Sequence, residues 1–345
     1  MFQFPDAIKP VFRQPALQKQ FESEGYVITE LFNSDDIIKL EQIFKEHHSD
    51  NITPFFATTY SPNPEHRKKI ESSILQVAKN KLDSVFFDYQ IVTGCFIVKS
   101  PGPESYLHVH QDMTLVDERE FTGINIWSPL VDLNEHNGAL YILPGSHRFF
   151  PTYRGHTIKG IYDSIQEEIK DYMMPLYLKA GQAVIFDQSI IHFSPPNLSE
   201  QIRIVTNIFI THCDARFIIC YHDKSDPAWK GKVELFEEDL NFMTDYEQFG
   251  SNIYDRPKIG RSLGLVDYDF PELTLDMLEN RFGKKRLRDH TPTKKISPPH
   301  KDSSVKQNDE VNPENLASTK KDSFWNIYSP SNILKEIKYR LRKNM

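Results

Sequence analysis

The stretch LHVHQDMTLV, residues 107–116, sets His108, His110 and Asp112 at every second position. In an extended strand alternate side chains share a face, so these three would project together, with Val109, Gln111 and Met113 on the other side. Imidazole and carboxylate side chains in such a row are ligands for a transition metal. A lone His-x-His is also an ordinary polar strand edge facing water, so the rest of the chain has to decide between the two.

Three metal chemistries use histidines spaced like these. A binuclear zinc hydrolase of the metallo-β-lactamase type needs His-x-His-x-Asp-His, but Met113 fills the last place. A thioether does not replace an imidazole on a hard catalytic zinc. A cupin needs a glutamate about four residues after the second histidine, where this chain has Thr114. The third chemistry is the facial triad of non-haem iron(II) oxygenases, two histidines and one carboxylate that leave half the metal open. His110 and Asp112 supply its His-x-Asp pair, and His192 in AVIFDQSIIHFSPP stands at the end of a strand-like run as the distant histidine. Eleven positions later Arg203 opens the run IRIVTNIFI, where a guanidinium would grip the far carboxylate of 2-oxoglutarate through two parallel hydrogen bonds.

Those residues need a rigid frame. After a helix predicted over SDDIIKLEQIFKEHH, capped by Ser34, strand signals dominate. YQIVTGCFIVKS, FTGINIWSPLV, GALYILPGS, QAVIFDQSIIHFS and IRIVTNIFITH are β-branched and aromatic runs separated by Gly, Pro, Asn and Ser, a pattern that predicts a sandwich or barrel.

Four segments, in this order, resemble the phytanoyl-CoA dioxygenase family of Fe(II)/2-oxoglutarate-dependent oxygenases. QKQFESEGYVITELFNSDDIIKLEQIF is similar to the family's opening, HVHQDM to its metal strand, and NIWSPLVDLNEHNGALYILPGSHR to its central signature. AGQAVIFDQSIIHFSPPN followed by IRIVTNI resembles the closing segment, although Gly181-Gln182 stands where the family usually has Gly-Asp. The resemblance covers most of residues 18 to 212. It implies a mainly β fold with flanking helices around a double-stranded β-helix, the jelly-roll or cupin-like core. It further implies iron at His110, Asp112 and His192, and 2-oxoglutarate at Arg203 and Ser194 with Gln111 and Trp127 lining the cosubstrate side. O₂ is then the second cosubstrate. His108 reads as a substrate-contacting residue, and Tyr106 is counted with it. His147 reads as a turn residue, and His136, His156, His212 and His222 have no ligand spacing. Because family relatives that halogenate replace the carboxylate with a small residue, Asp112 points to hydroxylation, here of a small molecule such as an amino acid, acyl compound or secondary metabolite.

Composition separates two parts. Residues 1–283 read as one oxygenase domain, residues 284–322 as a disordered basic linker, and residues 323–345 as a short amphipathic helix. From Lys284 onward there are 15 Lys and Arg against 7 Asp and Glu, whereas the preceding part carries a net charge of −15. An acidic domain disfavours a nucleic-acid groove, and the tail has no interleaved aromatics before Phe324 and Trp325. Two other readings are a non-catalytic binding module of the same fold and an oxygenase that reaches a macromolecule through the tail. The opening residues lack an apolar signal-peptide core, no run is long enough to span a membrane, and the three cysteines form no paired motif. Those features predict a cytoplasmic protein; they leave the oligomeric state open.

Overall fold

The computed structural model describes residues 8–48, 54–61, 63–239, 254–258 and 260–284. All of them belong to the first of two units, Met1–Lys285. Apart from Lys284, the predicted linker and terminal helix lie outside the described residues.

The chain runs α1 (Pro15–Glu24), β1 (Tyr26–Glu30), α2 (Ser34–His47), β2 (Phe55–Ala57), α3 (Pro64–Val85), β3 (Tyr89–Lys99), β4 (Leu107–His110) and β5 (Ile124–Pro129). It continues through β6 (Leu140–Ile142), β7 (Met174–Leu176), β8 (Gln182–Asp187), β9 (His192–Ser194), β10 (Arg203–His212), β11 (Phe217–Tyr221), β12 (Lys232–Glu238), β13 (Arg261–Asp267) and α4 (Leu275–Phe282). One antiparallel sheet has the order β1-β8-β5-β10-β3-β2, a second the order β4-β9-β6-β7, and β11-β12-β13 form a third. From β3 to β10 the chain crosses repeatedly between the first two sheets, which makes the core a double-stranded β-helix.

Strand alternation divides the six-stranded sheet into an outer and an inner face. Outward, Phe96, Val98, Ile124, Ile126 and Ile208 pack against Leu40 and Phe44 of α2 and Ile70, Ile74, Ala78 and Leu82 of α3. Inward, Trp127, Val184, Phe186 and Val205 meet Leu140, Ile142 and Leu176 of the four-stranded sheet. The site residues of β5 and β10 therefore project into the space between the sheets.

Three local features differ from the sequence reading. Asn33, one residue before Ser34, caps α2 in a capping box with Asp36. Helix α3, absent from the sequence reading, starts from an Asn63 cap with Pro64 in its first turn, and its buried residues recur every three or four positions. QAVIFDQSIIHFS is two strands in different sheets: Asp187 accepts from the Ser189 N–H (2.8 Å) and hydroxyl (2.5 Å), and that turn carries the chain across. His192 consequently begins β9, whereas the sequence pattern placed it at a strand's end.

Gly181 also departs from ordinary backbone. Its φ is +86°, and a Cβ there would stand 2.2 Å from the Phe32 carbonyl oxygen, so glycine lets the β8 turn approach the chain after β1. All three cysteines are free, and no helix among the described residues is long and apolar enough to cross a membrane.

Leu82→Ala should test the helix-to-sheet packing. The side chain is fully buried, so its truncation should cost about 2–5 kcal/mol in denaturant unfolding. A loss below about 1 kcal/mol would mean that α3 does not cover the core as described.

Candidate metal centre and cosubstrate pocket

Pairing between β4 and β9 places His110 directly opposite His192, with their ring centroids 4.0 Å apart. Each ring is oriented by the carbonyl two residues before it: His110 Nδ1 bonds the His108 carbonyl oxygen at 2.7 Å and His192 Nδ1 bonds that of Ile190 at 2.9 Å. A carbonyl oxygen can only accept, so Nδ1 carries a proton in both rings, and in the neutral imidazole that leaves the Nε2 lone pair for a metal. Both Nε2 atoms face Asp112 Oδ1, at 3.9 Å from His110 and 4.0 Å from His192. The other carboxylate oxygen, Oδ2, accepts from Asn125 Nδ2 (2.8 Å), and Asn125 Oδ1 in turn accepts from Asn207 Nδ2 (3.0 Å).

This donor set fits an octahedral iron(II) ion. Two neutral imidazoles and one carboxylate bring one ligand atom each to within 4.8 Å of one another, and each is oriented by a further hydrogen bond. Burial, reinforced by His192, holds the His110 pKa well below the usual histidine value and so favours the neutral ligand form. Burial pushes the Asp112 pKa up, against the pull of His192, Arg154 and the Asn125 hydrogen bond; a bound cation would reverse that. A second group, His212, Cys213 and Asp214, lacks this order. Its His212 Nδ1 already accepts the Asp214 N–H (3.1 Å), and Asp214 is paired with Lys9 (2.9 Å).

Arg203 opens β10 on the inner face at only 2% exposure. Its guanidinium donates to the Gly138 carbonyl (3.1 Å), lies 5.3 Å from the Trp127 ring centroid, and leaves Nε without a partner. Burial alone pulls its pKa down to about 9. Its cross-strand partner on β3 is Lys99, at 0% exposure, whose Nζ donates to the carbonyls of Ser194 (2.8 Å) and Pro195 (2.6 Å). Burial, and then the Arg203 charge, lower the Lys99 pKa well below its ordinary value. Two buried basic groups side by side, each bonded to backbone carbonyls and with no ion-pair carboxylate among the described residues, are a costly arrangement that an anionic ligand would relieve. The distal carboxylate of 2-oxoglutarate fits that need.

Of the remaining predicted residues, Trp127 is both a core side chain and the ring beneath Arg203. Ser194 is buried on β9, where its carbonyl receives Lys99. Gln111 turns to the loop after β8, donating to the Ser189 carbonyl (2.5 Å). The strict alternation of 108, 110 and 112 does not hold: the β4–β9 register shifts between Leu107 and His110, and Asp112 lies beyond the strand end. His108 is exposed and packs edge-on against Tyr106 (4.8 Å between centroids), beside Phe193 and Lys170. His147 bonds the Glu22 carbonyl (3.1 Å), in keeping with a turn residue. Sequence reasoning missed Lys99 and Asn125, although a charged or amide side chain on the inward face of an otherwise apolar strand was a usable signal for both.

The family model described as Phytanoyl-CoA dioxygenase (PhyH) matches residues 21–205, more than half of the chain. A zebrafish (Danio rerio) phytanoyl-CoA dioxygenase domain-containing protein 1 is 33% identical over 129 residues, which are 35% of this chain and 44% of that protein. An Arabidopsis thaliana phytanoyl-CoA dioxygenase is 25% identical over 251 residues, covering 56% of this chain and 87% of the relative. Among solved structures, HygX from Streptomyces hygroscopicus with nickel and 2-oxoglutarate bound has a TM-score of 0.44 at 14% identity, covering 57% of this chain and 86% of that one. The chain belongs to the phytanoyl-CoA dioxygenase (PhyH) family of Fe(II)/2-oxoglutarate-dependent dioxygenases, whose cosubstrates are 2-oxoglutarate and O₂.

Proposed function

We propose that this chain hydroxylates an unactivated C–H bond of a small-molecule substrate, of amino-acid, acyl or secondary-metabolite type. The observation that carries the reading is the convergence of His110 Nε2, His192 Nε2 and Asp112 Oδ1 on one point between the sheets. Iron(II) held there would supply the oxidising chemistry, with 2-oxoglutarate and O₂ consumed and succinate and CO₂ released as the substrate gains a hydroxyl.

The chain's own residues then have separate tasks. His110 and His192 present neutral, pre-oriented donors, and their carbonyl-bound Nδ1 atoms spare the metal the cost of turning the rings. Asn125 occupies Asp112 Oδ2 and directs Oδ1 toward the imidazoles. Arg203 receives the distal carboxylate, Trp127 forms the wall beneath it, and Lys99 adds positive potential from the neighbouring strand. The apolar layer of Val184, Phe186 and Val205 keeps water from this end of the pocket. Asp112 supplies the third ligand that a halogenating relative lacks, which supports hydroxylation. His108 and Tyr106 are assigned to the substrate side of this reading.

Anaerobic loading with Fe(II) and 2-oxoglutarate, followed by a succinate-release screen over a metabolite panel, tests the proposal; no substrate-stimulated succinate from any class would count against it. In that assay His110→Ala and His192→Ala should each abolish turnover. Wild-type succinate production by either variant with added Fe(II) would refute the ligand assignment.

Arg203→Ala should raise the apparent KM for 2-oxoglutarate roughly ten- to a hundredfold, because a charge-assisted bidentate contact contributes about 1.5–3 kcal/mol. Arg203→Lys should recover only part of this, since an ammonium lacks the guanidinium fork. An unchanged KM in Arg203→Ala would place the cosubstrate anchor elsewhere.

A further inference from the structure

Asp112 lies past the end of β4, where no strand ladder holds it, and 32% of its side chain is exposed. The two histidines, by contrast, stand on a paired strand ladder. Its backbone is gripped from both sides. The Asp112 N–H donates to the Gln188 carbonyl at 3.0 Å, and the Asp112 carbonyl accepts from Arg154 Nε at 2.6 Å. The side chains of Arg154 and Gln188 then meet on one carboxylate. Arg154 donates Nη1 to Glu118 Oε2 (2.9 Å) and Nη2 to Glu118 Oε1, while Gln188 Nε2 donates to Glu118 Oε1 at 2.5 Å. Asp112, Arg154, Glu118 and Gln188 thus close a ring.

The ring is anchored as well as closed. Arg154 Nη1 also donates to the Thr152 carbonyl (3.1 Å) and hydroxyl (3.0 Å), and Arg154 and Thr114 are tied twice: the Thr114 N–H donates to the Arg154 carbonyl at 3.0 Å, and the Arg154 N–H to the Thr114 side-chain hydroxyl at 3.1 Å. Arg154 and Gln188 are buried, and only 15% of the Glu118 side chain is exposed. An ion pair this buried is weak as a source of stability, because desolvation offsets most of its attraction. A positional role accounts better for keeping it.

We infer that Arg154, Glu118 and Gln188 are positioning residues for the iron carboxylate, a hydrogen-bonded ring that sets where Asp112 presents Oδ1 to the metal. The inference rests on the reading of Asp112 as a ligand. It extends that reading to Glu118, Arg154 and Gln188, which stand 6, 42 and 76 positions after Asp112 in the chain, by the contacts above. Losing outer-shell support of this kind typically costs 10–100-fold in metal affinity.

The test uses manganese(II) as the probe, because its electron-paramagnetic signal reports free ion directly and needs no turnover. Arg154→Met combined with Glu118→Met removes the pair without stranding a lone buried charge. The full-length double variant should keep the metal-free unfolding midpoint of the wild type while its Kd for Mn(II) rises ten- to a hundredfold. Arg154→Lys should fall between, because a single ammonium cannot serve both the Asp112 carbonyl and the Glu118 carboxylate with the same fork. In an Asp112→Ala background the Met pair should change nothing further. A folded double variant that binds Mn(II) within about twofold of the wild type overturns the inference. Should the double variant not fold, Gln188→Met, which cuts one arm only, decides it: weakened binding supports the ring, and wild-type affinity overturns it. Wild-type affinity in Asp112→Ala alone would be a different failure, that of the ligand assignment itself.

Discussion

His110 and His192 face each other across the β4–β9 ladder, each with its Nδ1 tied to the carbonyl two residues back in the chain. Everything else in the site is arranged around that cross-strand pair. The double-stranded β-helix exists here as a means of bringing residues 82 positions apart in the chain into register, and the crossing after Asp187 is the step that does it. A one-residue slip of β9 would turn His192 to the opposite face and bring Phe193 in, so register and chemistry are the same constraint. Asp112 completes the set from an irregular segment, held by the Gln188 carbonyl, Arg154 Nε and Asn125 Nδ2 in place of a strand ladder.

The second constraint is electrostatic. Arg203 and Lys99 are neighbours across two strands, nearly inaccessible to water, and bonded to backbone carbonyls instead of carboxylates. Holding two cations there opposes folding, since their desolvation is only partly offset by neutral acceptors. The same arrangement is suited to an anion, because the reorganisation a flexible surface would need has already been made. Trp127 links the two constraints: its ring supports the guanidinium on one side and belongs to the apolar layer between the sheets on the other.

Much of this candidate site was legible in the sequence, because its candidate ligand residues, which the structure brings together, carry their own signals. His-x-Asp in a strand run, a histidine closing a strand-like run and an arginine opening an apolar run are local patterns, and the strands that carry them are β-branched enough to be read. What escaped were features set by long-range contact. Arg154 acts on Asp112 from 42 positions away, which no local pattern encodes, and Lys99, although its charge stands out in an apolar strand, reaches Ser194 from 95. The alternation argument failed at Asp112 because a register shift and a strand end intervene, which periodicity cannot show. Helix α3 was different: its apolar spacing and Asn63-Pro64 start were present, but its many charged residues masked them. For α2, Asn33 and Ser34 are both good caps, and the reciprocal bond from Asp36 chooses Asn33.

The most direct test of the central claim is an anaerobic optical titration of Fe(II) into the full-length protein with 2-oxoglutarate present, following the visible metal-to-ligand charge-transfer band that a chelated 2-oxo acid gives on iron(II). The account predicts a band that saturates at one iron per chain and is lost in His192→Ala. It further predicts that in Arg203→Ala the band reaches saturation only at much higher 2-oxoglutarate. Absence of a saturable band in the wild type, or an equal band in His192→Ala, would contradict the assignment of the triad.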